Sequence, residues 1–146
     1  MTLSTLQVSR TALSAAGAED LVRRWHRSVT DRVPVERLTP DLANGLRLDL
    51  PSAVVRGVAD FCRWYADGRH LPLAGRSVAL ADVRVRLLSP VHAEVTATTT
   101  TGHDGWLARH EWWVVAQEEG PRIRTISVTW PDSATAASSL SLLDAA

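Results

Sequence analysis

The stretch Ala108-Arg109-His110-Glu111-Trp112-Trp113-Val114-Val115 breaks at Glu119-Gly120-Pro121 and returns as Arg122-Ile123-Arg124-Thr125-Ile126-Ser127-Val128-Thr129-Trp130; its reading decides the fold class. Two consecutive strands joined by a tight turn predict a β-hairpin. This hairpin carries an acid, Glu111, and the indoles of Trp112, Trp113 and Trp130. A carboxylate beside indoles is either buried with a shifted pKa, as a catalytic pocket requires, or exposed at a strand edge, as an interface requires.

Working outward, Val78 to Leu88 alternates, with Val83, Val85 and Leu87 against Arg84 and Arg86, and ends at Ser89-Pro90. Val91 to Thr101 is rich in Thr and Val, which favour strands. Gly102-His103-Asp104-Gly105 predicts a hairpin turn into a strand over Trp106–Gln117. Upstream the periodicity is helical. A first helix is expected from Ala18-Glu19-Asp20, with acids in its first turn and Leu21, Val22, Trp25 and Val29 on one apolar face. A short helix follows around Val35-Glu36-Arg37-Leu38 and stops at Pro40. A short strand, Leu46-Arg47-Leu48-Asp49-Leu50, ends at Pro51. A third helix is expected over Ser52 to Ala66, with Val54, Val58, Phe61, Cys62 and Tyr65 buried, ending at Asp67-Gly68. Helices first and then a four-strand antiparallel meander make an α+β pattern. The unit is expected over residues 18–130, between a loose tail of residues 1–17 and another of residues 131–146.

Composition narrows the function classes. The chain has 146 residues, enough for one domain with a core. Its 16 basic residues, all arginine, balance 16 acids, which argues against a polybasic nucleic-acid or membrane face. Cys62, a single cysteine, excludes an internal disulfide and a cysteine-based metal site. No signal-peptide pattern and no apolar run of membrane-spanning length is visible, so a soluble cytoplasmic protein is expected. His26, His70, His92, His103 and His110 show no HxH or HExxH pairing, so no metal is expected. A phosphate loop and a GxSxG elbow are also missing.

The order helix, short helix, short strand, helix, long antiparallel strands resembles the cone-shaped fold of nuclear transport factor 2. Its bacterial relatives include ketosteroid isomerases, SnoaL-like polyketide cyclases, limonene-epoxide hydrolases and scytalone dehydratases. The resemblance covers about residues 18–130 and rests on element order and a few local matches. In ketosteroid isomerases a general-base aspartate ends the short strand, and Asp49 stands at the corresponding place. A protonated acid lies on the third long strand just before an aromatic, and Glu111 looks like that position. The tyrosine of the first helix corresponds to Trp25, whose N–H can donate a hydrogen bond but cannot transfer a proton at ordinary pH.

The resemblance implies a cofactor-independent acid/base enzyme: isomerase, cyclase, dehydratase or epoxide-opening. Its substrate would be a small oxygenated, partly apolar molecule such as a polyketide-like intermediate, in secondary metabolism. Asp49 would be the base and Glu111 the acid or oxyanion donor. Trp25, His26, Phe61, Trp64, Tyr65, Glu94 and Trp113 would shape the pocket. Glu94, Thr96 and Thr98, with Thr125, Ser127 and Thr129, would give it a polar floor. If Glu111 and Trp113 face inward, alternation sends His110 and Trp112 to the outer sheet face, where a homodimer contact is expected. Each role has a rival. Asp49 before Pro51 can be a turn cap, and Glu111 can pair with Arg109, Arg122 or Arg124 across strands. The Thr-rich faces suit a solvated sheet, and the indoles suit a core. A non-catalytic ligand-binding or protein-association module of the same fold is the alternative reading.

Overall fold

The structure, a computed structural model, describes residues 12–51, 53–68, 80–100 and 107–129. Helix α1 spans Ala15–Thr30 and begins earlier than the acids at Glu19 and Asp20 suggested. The physical reason is a cap: Ser14 accepts a hydrogen bond from the Gly17 backbone N–H at 3.0 Å. The acids therefore lie beyond the first turn. Leu13 is already fixed, its N–H donating to the Pro90 carbonyl at 2.8 Å, so the ordered unit starts before residue 18. Ala18, Leu21, Val22, Trp25, His26 and Val29 form the buried face of α1.

Two 3-10 turns follow, Val35–Arg37 and Thr39–Asp41. Pro40 does not end the helical segment; it sits in the first turn of the second piece, where its missing N–H costs nothing. Strand β1 spans Leu42–Leu50 and turns at Pro51 into β2, Ala53–Arg56. The expected third helix thus loses its first turn to a strand. Val54 and Val55 are β-branched and stiff in a helix, and Gly57 takes φ +85°, which separates β2 from helix α2, Gly57–Ala66. Val54, expected on a buried helix stripe, is 51% exposed on the hairpin. Phe61, Trp64 and Tyr65 carry the buried face of α2. Its end is as expected: Asp67 and Gly68 N–H groups donate to the Arg63 and Tyr65 carbonyls, with Gly68 at φ +74°.

Strands β3 (Ala81–Ser89), β4 (His92–Thr100), β5 (Leu107–Gln117) and β6 (Gly120–Thr129) form the expected antiparallel meander. Strand β1 then pairs parallel to β6, giving a six-stranded sheet in the order β2-β1-β6-β5-β4-β3. Both helices cover the same face: α1 lies on β3, β4 and β6, and α2 lies on β1 and β2. The core fills the space between them, with Trp25, Phe61, Leu48, Trp112, Val114, Ile123 and Ile126 fully enclosed. Among the described residues no helix is long and apolar enough to cross a membrane. The expected turn at Gly102-His103-Asp104-Gly105, with His70, Trp106 and Trp130, lies outside the described residues.

Candidate functional site

Strand parity decides which side chains can meet a ligand in the cone. In β5 the even residues Ala108, His110, Trp112, Val114 and Ala116 are buried against the helices. Glu111 and Trp113 point the other way, and Trp113 is 39% exposed. The expected assignment is therefore reversed: His110 and Trp112 are interior residues, and Glu111 and Trp113 belong to the outer face. The even set is small or apolar apart from one neutral imidazole, whereas the odd set carries Arg109, Glu111 and Gln117. Burying the even set leaves both charges of the strand in water.

The same rule moves Asp49. Leu46, Leu48 and Leu50 are buried, so Arg47 and Asp49 face outward. Arg47 Nε donates to Asp49 Oδ1 at 2.9 Å. Glu111 accepts from the Trp113 indole N–H, also at 2.9 Å. Asp49 and Glu111 both register with Ser127, one from each side of β6. Two strand spacings put their Cα atoms roughly 10 Å apart. The row continues through Thr96 to Arg84. The two acids are neighbours on an open surface and do not line an apolar cone. Glu94 lies on the same face, 3.4 Å from the Arg86 guanidinium. Thr96, Thr98, Thr125, Ser127 and Thr129 keep to this outer side too, so the expected polar pocket floor is an outer sheet surface.

The inner face holds a different polar group. His26 of α1 and His110 of β5 meet edge to face with ring centroids 5.7 Å apart. The His110 ring stacks on Trp112 at 5.3 Å. Thr99 Oγ1 lies 3.0 Å from His110 Nε2. His110 Nδ1 and Trp112 Nε1 are buried and have no hydrogen-bond partner among the described residues. Burial, and secondarily the charge that His26 would carry, push the His110 pKa down to about 3. His110 is therefore neutral at ordinary pH. Its Nδ1 is an open acceptor site when Nε2–H donates to Thr99, and an open donor in the other tautomer. The sequence singled out His26 for the pocket but assigned His110 to the outside; reading parity over the whole strand would have found it.

Trp25, Phe61, Trp64 and Tyr65, expected around a pocket, do share the interior. Phe61 contacts all three rings at centroid distances of 5.9, 5.9 and 5.8 Å. Two of their polar atoms are bound to backbone: Trp25 N–H donates to the Leu38 carbonyl at 3.1 Å, and Tyr65 O–H to the Val33 carbonyl at 2.6 Å. Burial raises the Tyr65 pKa, against a smaller lowering by Arg32. These side chains fill space and tie α1 and α2 to the 3-10 connection.

Clefts formed by the described residues lie elsewhere. One of about 550 Å³ is bounded by Thr39, Asn44, Gln117, Glu118 and Arg122 beside the β5–β6 turn. Another, of about 210 Å³, is on the outer face between β3 and β5. Among the described residues no group of three or more His, Cys, Asp or Glu side chains could hold a metal ion.

No family model and no curated protein matches the sequence. Solved structures match the fold. A nuclear transport factor 2-like protein of unknown function from Pseudomonas putida KT2440 superposes with a TM-score of 0.65 at 15% identity, over 79% of this chain and 84% of that one. A protein from Shewanella frigidimarina NCIMB 400, whose name proposes a ketosteroid isomerase, gives 0.65 at 14% identity, over 80% and 95%. A nuclear transport factor 2-like protein from Cytophaga hutchinsonii ATCC 33406 gives 0.62 at 18% identity, over 77% and 94%. With helices on one face of a six-stranded sheet and these structural neighbours, the chain has the nuclear transport factor 2-like α+β fold.

Proposed function

We propose that this chain is a non-catalytic association module of its fold, and that its partner is a second copy bound through the outer sheet face. One observation carries the reading: Asp49, Glu94 and Glu111 lie on that face together with Arg47, Arg84, Arg86 and the half-exposed Trp113. A two-fold contact uses one patch twice, so the patch must complement itself. This one carries both signs of charge around an indole, the side chain that most often anchors an interface. Five strands of nine to eleven residues and the four-residue β2 present roughly 700 Å², close to the ~800 Å² per partner of a standard contact. Trp113 also packs on the His92 ring at 5.1 Å, which orients the indole before any partner arrives. Sedimentation equilibrium tests the proposal. Wild type should be a dimer and Trp113→Glu a folded monomer; a wild-type monomer at tens of micromolar refutes it.

A second reading, an acid/base enzyme acting on a small oxygenated molecule, is favoured by the unpartnered buried His110 Nδ1 and Trp112 Nε1. Such an enzyme would work from His110, His26 and Trp112 on the inner face, not from Asp49 and Glu111. A tryptophan-fluorescence screen with oxygenated polycyclic compounds separates the readings. Quenching lost in His110→Gln and kept in Trp113→Glu supports the enzyme.

A further inference from the structure

The smaller cleft is lined by Asp82, Arg84, Thr96, Ala97, Thr98 and Arg109. It exists because β3 bulges. Ala81 registers with Thr98 and Arg84 with Thr96, so Asp82 and Val83 together face Ala97. Asp82 takes φ +52°, a left-handed conformation that Asp tolerates better than most residues. A bulge twists its strand and re-aims the side chains beside it. Here it brings Arg84 of β3 and Arg109 of β5 to opposite walls of one cleft, with Thr96 and Thr98 of β4 as the floor.

The two arginines differ from their neighbours in pairing. On the same side of the sheet Arg47 is bound to Asp49, and Arg86 reaches Glu94. Neither Arg84 nor Arg109 has a carboxylate within ion-pair distance among the described residues. Thr98 already donates its hydroxyl to the Ala81 carbonyl at 3.2 Å, which leaves the Thr96 hydroxyl as the free floor donor. Strands β3 and β5 stand roughly 10 Å apart across β4, a span that two arginine side chains can close around one small anion in a cleft of about 210 Å³. Guanidinium forks favour carboxylate and phosphate oxygens because they bind them through two parallel N–H groups.

We propose that this cleft is a binding site for a small oxyanion, a carboxylate or phosphate group, gripped between Arg84 and Arg109 above the Thr96 hydroxyl. The site is separate from the cone interior. It lies on the β3 side of the same outer face, about 13 Å along β5 from Trp113 at four residues of strand rise. Arg84 therefore belongs to both the cleft and the proposed dimer patch, and the monomeric Trp113→Glu chain separates the two. The Asp82 carboxylate opposes the anion, which gives the site an internal control of opposite sign.

The test is calorimetric titration of the full chain with inorganic phosphate and, separately, acetate, at ionic strength fixed with chloride. At least one anion should bind, and which one identifies the group accepted. Arg84→Gln and Arg109→Gln should each weaken binding about tenfold or more, the value of one charge-assisted contact. Asp82→Asn should tighten it, and Arg56→Gln, on the far strand β2, should leave it unchanged. Absence of binding by both anions overturns the proposal. So does an Arg56→Gln effect equal to that of Arg84→Gln, which would reduce the site to general surface charge. Loss of binding in monomeric Trp113→Glu, with both cleft arginines intact, also overturns it by assigning the anion to the subunit contact.

Discussion

Acid should destabilise this protein through one identified side chain, His110. Its folded pKa is about 3, against an ordinary histidine value of 6.5. The folded-state value is depressed, so between these limits the unfolded chain binds a proton that the folded chain refuses. Stability is therefore intact above about pH 6.5 and falls with pH down to about 3. Integrating from pH 7.5 to pH 5 gives a loss of about 2 kcal/mol from this residue alone. That corresponds to roughly 4–8 °C in Tm for a domain of this size. The loss arises because His110 is enclosed between α1 and β5, against Trp112, Thr99 and His26. The assay is urea denaturation at half-unit pH steps for wild type and His110→Gln. The variant keeps a polar group for Thr99 but cannot take up a proton. Its stability at pH 7.5 should be lower, and its slope between pH 7.5 and 5 shallower by about 2 kcal/mol overall. His26 is present in both proteins, so its own contribution cancels to first order. Equal slopes in the two proteins would refute the placement of His110 in a dry interior.

Four further outcomes follow from particular contacts. Asp49→Asn and Glu111→Gln should each change unfolding free energy by at most about 1 kcal/mol in urea titrations, because their partners are half-exposed surface groups. Tyr65→Phe removes the hydroxyl that donates to the Val33 carbonyl and should cost about 1–2 kcal/mol, read by the same titration. Gly57→Ala meets no atom within 4 Å yet should lower stability by about 1 kcal/mol, from the φ of +85° alone. Ser14→Ala should cost about 1 kcal/mol and speed amide exchange at Gly17, whose N–H loses its acceptor.

The element order was legible because period two and period 3.6 are written plainly in the chain, and Pro51, Gly68 and the Glu119-Gly120-Pro121 break mark the ends. What misled was the choice of face. Around Glu111 each face of β5 holds one tryptophan and one polar neighbour, so these four residues do not decide which side is buried. The full strand does, since Arg109 and Gln117 share parity with Glu111. At Asp49 the alternation with Leu46, Leu48 and Leu50 already pointed outward, and the family resemblance outweighed it. The β2 strand was hidden by the helical spacing of Val54 and Val58; the stiffness of Val54-Val55 and the position of Gly57 were the signals available. The buried His110 was not legible from its residue type, because a histidine becomes an interior group only once packing denies it water.

The parallel pairing of β1 with β6 has a consequence for how the chain is made. Leu48 registers with Ile126, so 126 − 48 = 78 residues separate the partners. On a ribosome adding 5–20 residues each second, β1 waits roughly 4–16 s for its neighbour. Through that interval the β1–β2 hairpin offers the unpaired edge of β1 to solvent, while α2 already packs against both of its strands. Nascent chains stalled before residue 120 should therefore bind chaperone, and those carried past residue 129 should release it.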